Sequence, residues 1–222
     1  MEFDLKDNTL FLEFYGLPGC GKSTISHLLA EELRRQGKIV MEPTYVIDHR
    51  YSPILRKGIK LLKLFRYVLF NSRKYKTLSN LIRVNGFSGT EALSQVVNIA
   101  LKLWGYDHAK ADYVIFDEGL TQSAISLAKN ESSCLETERK LYELCKQRTV
   151  RKLFIKVSPE IALSRLVGRD RHDSRIEKIS DKVEKVKAMK NLEKQCNTII
   201  PGFVIEDASI EFAVNCIIRQ IG

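Results

Sequence analysis

No apolar run in the 222-residue sequence approaches the roughly 20 residues that cross a bilayer, so no transmembrane segment is expected. The five cysteines, Cys20, Cys134, Cys145, Cys196 and Cys216, are odd in number and contain no CxxC pair. That argues against a disulfide framework and against a zinc site. The opening MEFDLKDNTL is acidic and polar, without the basic-then-apolar order of a secretory signal. A reducing, cytoplasmic compartment is the expectation. There is no internal repeat and no low-complexity linker, and the length suits one domain over 1–222. One further absence is local. Asp and Glu are missing between Arg50 and Arg83, where ten Lys or Arg fall. The net charge of +9 therefore resides there, and the rest of the chain is close to neutral. Such a field favours phosphates, nucleic acid or a membrane surface.

What is present reads as alternating strands and helices. TLFLEFY (9–15), KIVME (38–42), DYVIFD (112–117), RKLFIKV (151–157) and GFVIED (202–207) have the apolar character of buried strands. Helices are expected over 22–36, with Ile25, Leu28, Leu29 and Leu33 on one stripe, and over 53–70. A further helix spans 90–104, with Leu93, Val97, Ala100 and Trp104 along one face. Others follow over 120–130, 134–148, 178–195 and 209–221. Ser158, Pro159 and Glu160 form a helix start. This alternation predicts a three-layer α/β/α fold around a mostly parallel five-stranded sheet. Residues of about 45–110 read as a helical, basic insertion between two strands.

The segment GLPGCGKST follows the first strand and opens the first helix. Gly16-Leu-Pro-Gly-Cys-Gly-Lys22-Ser23 fits GxxxxGK[ST], in which glycines let successive amides point at an anion. The helix beginning at Lys22 adds its positive end. Gly16, Pro18, Gly19, Cys20, Gly21, Lys22, Ser23 and Thr24 are the candidate nucleotide contacts. Lys22 would reach the β- and γ-phosphates of ATP, and the Ser23 hydroxyl would ligate Mg²⁺. Asp117 closes the third strand and could hold Mg²⁺ or cap the next helix. Glu118 could take a proton from water or an acceptor hydroxyl, or orient an arginine. Arg165, Arg169, Arg171 and Arg175 crowd one stretch with Gly168 as a possible hinge, which reads as a catalytic lid over about 165–178 or as a solvated charged face.

These segments resemble the P-loop nucleoside and nucleoside-monophosphate kinases, within them the thymidylate kinase-like group. The resemblance rests on LEFYGLPGCGKST, Met41-Glu-Pro-Thr44, VIFDEGLTQSAISLA, VSPEIALSRLVGRDR with SRIEK, and VIEDASIEFAVNCI. It implies ATP·Mg²⁺ on Lys22, Ser23 and the 16–24 backbone, Asp117 at the metal, and Arg165, Arg169, Arg171 and Arg175 in the lid. It also implies Glu42 near the acceptor as a base. The chain departs from the pattern at Glu118, where the family carries an arginine, and at Met41, Thr44 and Tyr45, where it carries an arginine and glycines. Phosphate binding at Glu118 would be weakened by its charge.

The expected activity is phosphoryl transfer from ATP to a small anionic or hydroxyl acceptor, a nucleoside monophosphate or nucleoside. The alternative is an ATP-hydrolysing switch working with a protein or nucleic-acid partner. A third reading is a nucleotide-binding domain without catalysis. The basic stretch 50–83 could cover the acceptor pocket, bind RNA or another polyanion, or lie on a membrane. A homodimer is compatible with the sequence.

Overall fold

The computed structural model describes residues 9–50, 52–146, 148–167, 176–206 and 209–221. Its strands are β1 (Leu10–Gly16), β2 (Val40–Met41), β3 (Tyr113–Phe116), β4 (Thr149–Lys156) and β5 (Phe203–Glu206). Between β1 and β2 lies α1 (Lys22–Arg35). Four helices separate β2 from β3: α2 (Tyr45–Arg50), α3 (Pro53–Phe70), α4 (Ser72–Val84) and α5 (Gly89–His108). Then come α6 (Leu120–Leu127) and α7 (Glu131–Tyr142), and after β4, α8 (Pro159–Val167) and α9 (Lys182–Thr198). The last helix is α10 (Ile210–Ile221).

The strands form one sheet in the order β2-β3-β1-β4-β5, and every pairing is parallel. β1 is central because side chains of both its faces are buried. Phe11, Glu13 and Tyr15 point one way, and Leu12 and Phe14 the other. Phe11 joins the core shared with α3–α7, whereas Leu12 and Phe14 join the core shared with α1, α8, α9 and α10. The chain leaves β1 toward β2 on one side and leaves β4 toward β5 on the other. The crevice outside the carboxyl ends of β1 and β4 is therefore the topological switch point, where open parallel sheets take ligands.

Two details differ from the sequence reading. The stripe expected over 90–104 is met only in part: Ala100 is buried and Val97 packs on the core, but Leu93 is exposed, and α5 also buries Val96, Ile99, Leu103 and Tyr106. The helix is apolar on several sides because the sheet lies on one flank and α3 and α4 on others, so periodicity does not single out one face. Separate helices α2 and α4 also stand where the sequence pattern gave none. The Ser158 cap is present, its hydroxyl accepting from the Ile161 amide at 3.3 Å.

Candidate active site

The loop between β1 and α1 is shaped by glycine. Gly19 (φ +88) and Gly21 (φ +99) both lie in left-handed backbone, and a Cβ on Gly19 would run into the Ala162 carbonyl of α8. α1 carries no side-chain cap and no acidic residue in its first turn, so its first amides and dipole are left for an anion. At the start of the loop the Gly16 amide donates to Gln122 Oε1 at 3.0 Å, which ties the loop to α6.

Lys22 is 5 % exposed, and its ammonium donates to the Gly16 and Leu17 carbonyls, each at 3.0 Å. Burial disfavours the charge, but Cys20, Glu118 and Asp117 nearby outweigh it and hold the pKa above the ordinary lysine value. The Ser23 hydroxyl donates to Asp117 Oδ2 at 3.0 Å, across from the first turn of α1 to the end of β3. Thr44, just after β2, donates to Asp117 Oδ1 at 2.8 Å. The segments that follow β1, β2 and β3 thus meet at one carboxylate.

The comparisons with known proteins bear on the fold. The chain overlays on deoxyadenosine kinase from M. mycoides, in a structure with the products dCMP and a flexible dCDP bound, with a TM-score of 0.52. The overlay covers 96% of this chain and 97% of that one at 16% sequence identity. The fold is that of the P-loop kinases. More distant likenesses are shikimate kinase from Bacteroides thetaiotaomicron (TM-score 0.49, 14% identity, 96% and 97% of the two chains) and thymidylate kinase from Ehrlichia chaffeensis (0.41, 17%, 96% and 98%). No family model matches the chain, and no curated protein matches it in sequence.

A cleft of about 310 Å³ opens at the carboxyl ends of β1, β4 and β5. Gly19, Gly21 and Thr24 form its floor, Ile155, Val157, Ile205 and Ile210 give apolar walls, and Arg165 of α8 reaches its rim. Loop amides, an apolar slot and two cations, Arg165 and Lys156, together suit a nucleotide with its base in the slot. Arg169, Arg171 and Arg175 lie outside the described residues. Beside the first turn of α1, Ser23, Thr24, His27, Leu28 and Tyr45 line a second hollow of about 230 Å³.

The two candidate bases differ in their surroundings. Glu118 is 55 % exposed, with Oε1 3.9 Å from Lys22 Nζ. Glu42 is buried, and both its oxygens are engaged: Oε2 with Arg34 at 2.8 Å and Oε1 with His27 Nδ1 at 3.0 Å. His27 in turn stacks on Tyr45 at 4.1 Å. Glu42 therefore braces α1 against the start of α2.

Two buried ionisable groups behind this site escaped the sequence reading. Glu13, in the middle of β1, is fully buried. Its carboxylate accepts from the Leu120 and Thr121 amides at 3.0 Å each and from the Tyr106 hydroxyl, so it caps α6 directly behind the Asp117–Gly119 turn. Gly119 is required there, because any Cβ would occupy the place of that carboxylate. The second group is Lys102 of α5, which donates to the Gly119 carbonyl at 3.2 Å and to Ser123 Oγ at 2.7 Å. Burial pulls its pKa down, against the pull of Glu118, Asp117 and Glu13, and Lys60 adds to the lowering. A charge inside the apolar run LFLEFY was the available signal for Glu13. Lys102 had none, since a lysine on a helix is ordinarily solvated.

Proposed function

We propose that the protein is an ATP- and Mg²⁺-dependent phosphotransferase acting on a small acceptor, a nucleoside or nucleoside monophosphate, with motifs in thymidylate kinase-like order. The observation that carries this reading is the Ser23–Asp117 hydrogen bond of 3.0 Å set beside a buried Lys22 under a glycine loop. A hydroxyl and a carboxylate fit a hard cation that keeps its other positions for water and phosphate oxygens.

ATP·Mg²⁺ supplies the transferable phosphoryl group. The chain supplies the rest. Lys22 and the first amides of α1 bind the β- and γ-phosphates and neutralise charge there. Arg165 from the cleft rim, with Arg169 and Arg171 of the lid, offsets charge on the transferred group. Glu118 accepts the proton of an acceptor hydroxyl as the new O–P bond forms and the bond to the ADP oxygen breaks. Its exposure and its place beside Lys22 favour it for this role over Glu42, which is held by Arg34 and His27.

The test is ATP consumption with a panel of nucleosides, nucleoside monophosphates, sugars and RNA ends. Turnover that depends on one acceptor supports the proposal. Steady hydrolysis without any acceptor would instead make the protein an ATP-hydrolysing switch, a reading that exposed Glu118 beside part-buried Asp117 also accommodates. Glu118→Gln is expected to lower acceptor-dependent turnover by about 10²–10⁴, the usual range for a general base, with little change in ATP affinity. A loss below tenfold would leave Glu118 without that role.

Lys102 is a positioning residue in this scheme. It holds the Gly119 carbonyl and thereby the turn that carries Glu118. Ser123 Oγ also donates to that carbonyl at 3.1 Å, so Lys102→Met leaves no buried donor unpaired. We expect the variant to lose about tenfold in turnover while its Tm is equal to or a few degrees above the native value. The sign follows from the lowered pKa. Folding disfavours the ammonium, that penalty is complete below the folded pKa, and it fades as pH rises toward the unfolded value of about 10.4. The Tm gap between variant and native protein should narrow over that alkaline range. A variant that melts well below the native protein at neutral pH would contradict this account.

A further inference from the structure

The helix α3 is built the reverse way from an ordinary surface helix. Leu64 and Tyr67 face the core, and Lys63 places its ammonium 4.8 Å from the centre of the Trp104 ring on α5. Outward it presents Leu55, Leu61, Leu62, Phe65, Leu69 and Phe70, between 52 % and 79 % exposed. At 3.6 residues per turn, the first five of these fall on about a third of the helix circumference, flanked by Arg66. The adjoining α4 buries Leu78, Leu81 and Ile82 and turns Arg73, Lys76 and Arg83 to solvent. Both helices pack on α5 in one core cluster, so both outward faces look away from the body of the protein.

We infer that the α3–α4 face docks on an anionic lipid surface. A contiguous apolar stripe of this size on an exposed helix marks an interaction site, and its charge says with what. With no carboxylate between positions 50 and 83, two copies joined through this face would set cations against cations. Nucleic acid would engage the arginines and lysines but would leave the leucines and Phe65 in water. Acyl chains below and acidic headgroups above satisfy both parts, as in helices that lie in the membrane interface. Among the described residues no helix is long and apolar enough to cross a membrane, so the contact is peripheral.

This inference is independent of the kinase reading, and its test is separate. The full chain is sedimented with vesicles of phosphatidylcholine alone and of phosphatidylcholine mixed with phosphatidylserine. Binding is expected to the mixed vesicles only and to weaken with added salt. Phe65→Ser and Leu69→Ser should each reduce partitioning by about tenfold, because each removes one large apolar side chain from the contact. Arg73→Glu combined with Lys76→Glu should reduce it by tenfold or more. These positions are exposed, so thermal melts should match the native protein, and acceptor-dependent ATP turnover without lipid should not change. In a Phe65→Trp variant, emission should shift to the blue on adding mixed vesicles. Failure to bind the mixed vesicles, or binding unaffected by Phe65→Ser and Leu69→Ser, overturns the inference. So does a dimer in light scattering that Phe65→Ser dissociates, which would make the face a self-contact. Retention of RNA, without lipid binding, would assign it to nucleic acid.

Discussion

Lys22→Met is expected to lower phosphoryl transfer by on the order of 10³ while the protein remains folded. The ammonium is held by two carbonyls of its own loop, so its position is set before any anion arrives. Under the proposed function such a preorganised charge would stabilise the transferred group without reorganising, and removing one comparable donor elsewhere costs about 10²–10³ in rate. The variant would also lose a full charge beside the proposed phosphate position, which places the effect at or above the upper end of that range. Stability should fall only modestly. Because the folded pKa of Lys22 is raised, the ammonium favours the folded state fully below the unfolded value of about 10.4, and that contribution is lost as pH rises through the folded one. At neutral pH the variant should therefore melt slightly below the native protein. Single-turnover measurements with the best acceptor, alongside calorimetry of ATP binding, check both halves. Turnover within tenfold of the native rate would remove the basis for placing phosphate at this loop.

Glu13→Ala is expected to be the most destabilising of the substitutions considered, by about 4 kcal/mol. The alanine leaves the Leu120 and Thr121 amides and the Tyr106 hydroxyl as buried donors without an acceptor, at roughly 1–3 kcal/mol each before local relaxation. It also removes an anion from the amino end of α6. For a chain of this length, Tm should drop by about 10 °C or more. Glu13→Gln keeps one acceptor oxygen but turns an amide NH₂ toward a backbone donor, so it should lie between native and Glu13→Ala. Thermal melts of the three proteins order the series. Equal melting of Glu13→Ala and native protein would show that the carboxylate is not what holds α6. Because α6 begins where the Asp117–Gly119 turn ends, residual turnover in Glu13→Gln should fall more steeply than stability alone explains.

The sheet was legible because each strand is an apolar run closed by a turn residue or a charge, and parallel strands buried on both faces read that way. The loop was legible because its chemistry is carried by backbone, and only glycine at fixed spacing allows it. Ser23 and Asp117 were also named from sequence, and the fold brings them within hydrogen-bond distance although 94 residues separate them. What stayed hidden was tertiary. Nothing local says that Glu42 meets Arg34 and His27, because that contact depends on how β2 lies beside α1. Lys102 looks like any helical lysine until α5 is packed under α6. The partly met stripe of α5 has the same origin, since a helix enclosed on several sides has no single apolar face. Arg165, named from the arginine-rich stretch, lies in α8 and lines the cleft beside the glycine loop. The sequence motifs resemble thymidylate kinase-like proteins in their order, whereas the overlay is with a deoxyadenosine kinase, at a level that speaks to fold.

The central place of β1 governs how the molecule can assemble. Leu10 pairs with Tyr113 on one side and Thr149 on the other, so β1 has no neighbour until about half of these residues follow it and its second only with β4. Helices α3 to α5 are contiguous in sequence and can associate much earlier, since short-range contacts close faster than distant strand pairings. On the ribosome, then, a helical subassembly is expected to precede the sheet. The glycine turn after β1 would then take its shape only once those later strands are in place.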